Sequence, residues 1–144
     1  MLVSQILKSK ANDAVLTIRP DATVAEAARM LSERRIGSLV VSADGRRALG
    51  ILSERDIVRE IGRRGPACLE DRAESMMTRD LVTCTRGDSA DDVLATMTRG
   101  RFRHLPVVEN EEMVGLISIG DVVKARLSEL SMEKDALEGM IKGF

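Results

Sequence analysis

The stretch Gly50-Ile51-Leu52-Ser53-Glu54-Arg55-Asp56 has an echo in Gly115-Leu116-Ile117-Ser118-Ile119-Gly120-Asp121. Each begins with Gly in an apolar run, reaches Ser, and places Asp three residues after it. An apolar run closing on Ser-x-x-Asp reads as a buried strand passing directly into a capped helix. Ile57 and Val58 follow the first stretch, and Val122 and Val123 follow the second. A chain carrying this junction twice is built from a duplicated unit, which constrains the fold more than any other feature.

The sequence upstream of each junction fills in that unit. Residues 1–13 read as a lead-in, with Leu2 to Leu7 apolar enough to pack and Lys8 to Asp13 polar enough for a loop. Val15-Leu16-Thr17-Ile18 reads as a short strand ended by Arg19-Pro20. Thr23-Val24-Ala25-Glu26 is a capping box, and its helix carries apolar residues at 24, 27, 28 and 31. Ile36 to Val41 predicts a second strand, Asp44-Gly45 a turn, and Ala48 to Leu52 a third strand. Ser53 then caps a helix to about Ile61, broken by Gly62-Arg63-Arg64-Gly65-Pro66. Residues 67–79 read as a polar connector with one helical turn.

A shift of 66 carries Thr17 to Thr83, and Thr23-Val24-Ala25-Glu26 to Ser89-Ala90-Asp91-Asp92. The apolar helical face becomes Ala90, Val93, Leu94 and Met97, while Ile36, Leu39 and Val41 become Phe102, Leu105 and Val107. One deletion in the hairpin turn lowers the shift to 65, which carries Gly50, Ser53 and Asp56 to Gly115, Ser118 and Asp121. Caps, faces and turns agree although identities are few, as a repeat requires. Residues 127–141 predict a final amphipathic helix with Leu127, Leu130, Leu137 and Ile141 near one face. That stripe packs either on the core or on a partner subunit.

Composition narrows the function classes. An aromatic content of 1%, with no Trp or Tyr, removes the stacking platforms of single-strand nucleic-acid binders. A net charge of -1 gives no overall grip on nucleic acid or anionic membrane. The apolar runs are far shorter than the roughly 20 residues a membrane span needs. The first residues do not read as a signal peptide, and Cys68 and Cys84 lack metal-like spacing. Two free, mostly buried thiols and a cytoplasmic location are expected. A single His leaves no Ser-His-Asp or Cys-His rationale, and no phosphate-loop or dinucleotide fingerprint is present.

In this order, and twice over, the pieces resemble the CBS-domain pair (the Bateman module). The resemblance rests on Val15-Leu16-Thr17-Ile18-Arg19-Pro20, Leu39-Val40-Val41, Met76-Met77-Thr78-Arg79-Asp80, Leu105-Pro106-Val107-Val108 and both Gly-to-Asp stretches, and it covers residues 1–126. It implies an α/β fold of two β-α-β-β-α repeats packed sheet to sheet with pseudo-twofold symmetry, plus the C-terminal helix. The divisions expected are repeat 1 with its lead-in at 1–65, a connector at 66–79, repeat 2 at 80–126 and the helix at 127–144. The family's two clefts can hold adenine nucleotides, and two pairs commonly join as a dimer.

Site residues follow from the same resemblance. It puts ribose contacts at Asp56 and Asp121, with Ser53 and Ser118 adding hydroxyls. A carboxylate at a helix start can accept two hydrogen bonds from a ribose diol, although Ser-x-x-Asp also suffices as a plain helix cap. Arg103 and His104 match positions that touch phosphate, with Arg101 and Arg55 as further candidates. Their partners in repeat 1 are Gly37 and Ser38, so the clefts should not be equivalent. The strand residues Thr17, Ile18, Thr83 and Cys84 would read the adenine edge through their backbone, with Ile36 and Leu39 sandwiching the ring.

The reading at this stage is a non-catalytic sensor of AMP, ADP, ATP or NAD, homodimeric, acting on a protein target or as a nucleotide sink. A ligand-free oligomerisation scaffold is the alternative. An enzyme is disfavoured because the chain is too short to add a catalytic barrel of about 250 residues.

Overall fold

Short apolar strands, two of which run straight into a helix, build the chain as a mixed α/β fold with two small sheets. The computed structural model describes residues 1–10 and 14–141. By packing, these residues form two units. One holds Ala14–Val82 with Glu109–Val114; the other gathers the N-terminal helix, Thr83–Val108 and the stretch from Gly115 onward.

In the first unit, β1 (Thr17–Ile18) lies parallel to β2 (Ser38–Val41), which pairs antiparallel with β3 (Gly50–Ser53). Ile18 stands opposite Val41, and Ser38 opposite Ser53. Helix α2 (Val24–Arg34) starts where Thr23 Oγ1 accepts the Glu26 N–H at 3.1 Å. Its buried face is Val24, Ala27 and Leu31, three of the four positions the periodicity marks; Ala28 is only partly buried. These residues meet Leu39, Val41 and Leu52 in one core. Full burial of Leu39 or Leu52 is worth roughly 1.5–3 kcal/mol. The Asp44-Gly45 turn is held by Asp44 Oδ1, which accepts the N–H groups of Arg46 and Arg47 at 2.8 and 3.0 Å.

Helix α3 (Glu54–Arg64) runs past the expected end near Ile61 and absorbs Gly62. Glu60 explains the extension, because it bridges Arg63 at 3.0 Å and Arg64 at 2.7 Å across the last turn. The helix stops at Gly65, whose φ of 81° suits glycine, followed by Pro66. The expected polar connector is more ordered than its composition suggests. It holds a 3-10 turn at Pro66–Glu70 and the helix α4 (Ala73–Met76), and it buries Cys68 and Ala73.

In the second unit, α1 (Val3–Ser9) extends the apolar lead-in and takes in Lys8 and Ser9, which the sequence assigns to a loop. The rest of that loop, residues 11–13, lies outside the described residues. Although α1 precedes repeat 1 in the chain, it packs with repeat 2, where the Val3 N–H donates to the Asp88 carbonyl at 2.9 Å. Helix α5 (Ala90–Gly100) is capped by Ser89 Oγ, which accepts the Asp92 N–H at 3.1 Å. Strands β4 (His104–Glu109) and β5 (Glu112–Ser118) form a hairpin through Asn110 and Glu111, both at positive φ, and its tip, Glu109–Val114, belongs to the first unit. Such a two-residue turn matches strand twist.

Two expectations need correction in this unit. The counterpart of β1 is a single parallel bridge from Cys84 to Val107 rather than a strand, and Thr83 beside it is exposed. Ahead of it the Leu81 N–H donates to the Arg79 carbonyl at 2.9 Å in a tight turn. The separate helices expected after Ser118 and over 127–141 are one continuous helix, α6 (Ile119–Ile141), with no Gly or Pro break strong enough to divide it. Its early turns bury Val122 and Ala125, but Leu127, Leu130, Leu137 and Ile141 are all exposed.

Candidate functional site

The two strand-to-helix junctions match nearly bond for bond. At the first, Ser53 Oγ accepts the Asp56 N–H at 3.2 Å, and Asp56 Oδ2 accepts the Ser53 N–H at 3.0 Å. At the second, Ser118 Oγ accepts the Asp121 N–H at 3.1 Å, and Asp121 Oδ2 accepts the Ser118 N–H at 2.9 Å. Each is a reciprocal capping box, so the cap explanation holds for both acids. The repeat also relates the neighbouring strand, by the shift of 66 that holds ahead of the hairpin turn. Glu54 N–H donates to the Gly37 carbonyl at 2.9 Å, and Ile119 N–H donates to the Arg103 carbonyl at 2.8 Å.

Those bonds fix what stands beside each acid. Within the second unit, α6 begins against the backbone of Arg103, bringing Asp121 and the Arg103–His104 pair to one junction. Arg103 is exposed and His104 half-buried. Within the first unit, Gly37 and Ser38 occupy the corresponding place. Ser38 is buried, and its Oγ has no hydrogen-bond partner among the described residues. Leaving a buried hydroxyl unpaired costs about 1–3 kcal/mol. The asymmetry expected between the halves is therefore one of an arginine–histidine pair against a glycine and a small hydroxyl.

The acids differ in what else they hold. Asp56 is 8% exposed, and its Oδ1 accepts from Arg59 Nη2 at 2.8 Å. Asp121 Oδ2 also meets Lys10 Nζ at 3.0 Å, and that ammonium donates to the Leu116 carbonyl at 2.9 Å. Among the described residues, Asp121 Oδ1 accepts no hydrogen bond. Burial alone would raise the Asp121 carboxyl, but the Ser118 N–H and Lys10 outweigh it and hold the group below the usual carboxylate range. Neither cation stands out in sequence as a partner. Arg59 lies within helical reach of Asp56, whereas Lys10 comes from the far end of the chain.

The remaining candidates scatter. Arg55 is exposed on the first turn of α3. Arg101 ends α5 with φ of 58°, the same left-handed cap that Arg35 makes after α2 at 53°. Thr17 and Ile18 form β1, with Ile18 buried in the core beside Leu39 while Ile36 is partly buried against it. Thr83 is exposed and Cys84 buried; burial, with a smaller push from Asp88, raises the Cys84 thiol to about 12. Both cysteines are free and buried. No helix among the described residues is long and apolar enough to cross a membrane.

The glycines opening each junction have a steric role. A Cβ on Gly50 would lie 2.7 Å from the Thr78 carbonyl oxygen, and one on Gly115 2.8 Å from a Leu7 methyl. The Thr78 backbone is bonded to Ile51 by N–H···O contacts of 2.9 and 3.1 Å, so β3 carries a neighbour that tolerates no side chain there.

Comparison with known proteins agrees with this architecture. The CBS domain family profile matches residues 3–63 and 73–128. A 17.7 kDa protein of Acidianus ambivalens is 35% identical over 98% of this chain and 82% of its own. The mitochondrial CBS domain-containing protein CBSX3 of Arabidopsis thaliana is 34% identical over 98% of this chain and 72% of its own. Among solved structures, the CBS-domain containing protein ATU1752 of Agrobacterium tumefaciens aligns at 41% identity and a TM-score of 0.83, covering 88% of this chain and 99% of that one. The CBS domain pair of protein MJ0100, in complex with 5′-methylthioadenosine and S-adenosyl-L-methionine, aligns at 24% identity and a TM-score of 0.77 over 90% of this chain and 98% of that one, a likeness of fold. With its profile matched in both halves and its junctions repeated bond for bond, this chain belongs to the CBS-domain family.

Proposed function

We propose that the chain is a regulatory module that binds an adenine nucleotide of the AMP, ADP, ATP or NAD type and passes the binding on as a change in affinity for a partner. The observation that carries this reading is the junction at Asp121. There an acid with one uncommitted oxygen starts a helix hydrogen-bonded to Arg103, the residue just before the strand that opens at His104. A carboxylate oxygen suits a ribose hydroxyl, and a guanidinium suits a phosphate. Asp56 with Ser53 is the second ribose grip, and it must trade Arg59 for the diol. The buried hydroxyl of Ser38 is a donor and acceptor suited to the same ligand. Thr17, Ile18, Ile36 and Leu39 in one unit, and Thr83 and Cys84 in the other, are the adenine contacts of this reading. Arg55 and Arg101 are outer phosphate contacts. The MJ0100 pair is a case in which this fold holds adenosine compounds.

The module works by binding rather than catalysis, in the cytoplasm, and as a homodimer. The exposed leucines of α6 are the natural surface for a second copy or a protein target. Signalling requires the liganded and free forms to differ in partner affinity. One observation favours the scaffold reading instead: each acid already serves as a cap for its own helix, a duty that needs no ligand.

A thermal-shift experiment separates the two. Saturating nucleotide at a hundredfold excess over Kd should stabilise the folded chain by roughly 2.7 kcal/mol. Asp121→Ala should abolish most of that gain. A scaffold would show no gain to lose.

A further inference from the structure

Helix α6 has two faces with different fates. Val122 and Ala125 are buried in the second unit, while Val123 is exposed and Leu127, Leu130, Leu137 and Ile141 are 50% to 85% exposed. From Leu130 to Ile141 every side chain lies open to solvent. Most of this stretch falls past residue 128, where the family match ends. A contiguous apolar surface with charged flanks marks an interaction site. We infer that α6 pairs antiparallel with α6 of a second copy of the chain, along a seam from Val123 to Ile141. The inference names the contact of the homodimer proposed above and rests on that part of the reading alone.

The spacing selects a helix as the occupant. Val123, Leu127, Leu130, Lys134, Leu137 and Ile141 follow one another at steps of 4, 3, 4, 3 and 4 residues. That is the core repeat of a coiled coil, running along roughly 27 Å of helix. So short a seam is marginal between free helices, but α6 is already nucleated by its Ser118 cap and its buried first turns.

Charge then fixes the direction. In a parallel pair, Lys134 would meet Lys134 of the second copy in the seam, and Glu133 would meet Glu138 of the second copy on the flank. Both contacts repel. In the antiparallel register that fills every seam position, Leu130 faces Lys134 of the second copy, Leu127 faces Leu137 and Val123 faces Ile141. Lys124 then lies against Glu138 of the second copy on one flank, twice over by symmetry. On the other flank the two Glu133 carboxylates come together beside both Lys134 ammonium groups. Lys134 also holds Glu138 of its own helix at 3.8 Å. A single polar residue in such a seam lowers affinity and specifies register.

The test is analytical ultracentrifugation of the full chain over a concentration series. Wild type should be a dimer. Leu130→Asp changes a side chain open to solvent in the single copy, so circular dichroism should be unaltered while association weakens about a hundredfold. Lys124→Glu and Glu138→Lys should each weaken association about tenfold, and the two together should restore it, because the exchanged charges still attract. A dimer that survives Leu130→Asp would overturn the seam and leave the homodimer standing. Charge reversals without effect, or without recovery when combined, would overturn the antiparallel pairing. A monomeric wild type would remove seam and homodimer together, while nucleotide binding is read separately by calorimetry.

Discussion

At the residue scale, the two acids cap their helices with the same carboxylates to which the ribose contacts are proposed. Removing either cap, as in Asp56→Ala or Asp121→Ala, should destabilise the fold by about 1 kcal/mol in urea unfolding at neutral pH. The pH dependence has a definite sign at Asp121. Its folded-state pKa lies below the unfolded value, so its contribution is present above about pH 4 and is lost as pH falls through the lowered value. Asp121→Asn should therefore flatten the acid limb of a stability–pH profile relative to wild type. Cys84 offers a second check. With its thiol raised to about 12 by burial, it should resist iodoacetamide at pH 8 in the folded protein and react after denaturation.

At the element scale, both halves end their first long helix on an arginine in the left-handed region, Arg35 and Arg101. Glycine is favoured at such a cap, and Arg35→Gly should raise stability by about 0.5–1 kcal/mol in a thermal or urea melt. Gly50→Ala should do the opposite, costing about 1–3 kcal/mol, because its Cβ meets the bonded carbonyl of Thr78. Gly115→Ala should cost less, since Leu7 can rotate away. Elements with a local signal were legible in sequence: the Thr23, Ser53 and Ser89 caps, the Asp44-Gly45 turn, the strand ending at Val41 and, to within one residue of its end, the strand expected to stop at Leu52. What failed to show depended on distant partners. Nothing near Leu81 reveals that only Cys84 reaches the sheet, and nothing near Lys10 reveals Asp121. The unbroken α6 escaped because its buried residues, Val122 and Ala125, stop near the start and the exposed apolar residues from Leu127 onward carry a separate periodic pattern.

At the scale of the whole molecule, the duplication is the organising fact, and its departures from symmetry are informative. Repeat 2 joins an arginine–histidine pair and Lys10 to its acid; repeat 1 offers a small hydroxyl and a self-paired acid. The second junction should consequently be the tighter nucleotide site. The central claim, that these junctions exist to bind nucleotide, is met most directly by isothermal titration of the purified chain with AMP, ATP and NAD. Saturable binding of at least one of them, weakened tenfold or more by Asp121→Ala, is the predicted result. Flat titrations with all three on well-folded protein, or affinity unchanged in the Asp56→Ala/Asp121→Ala double variant, would contradict it.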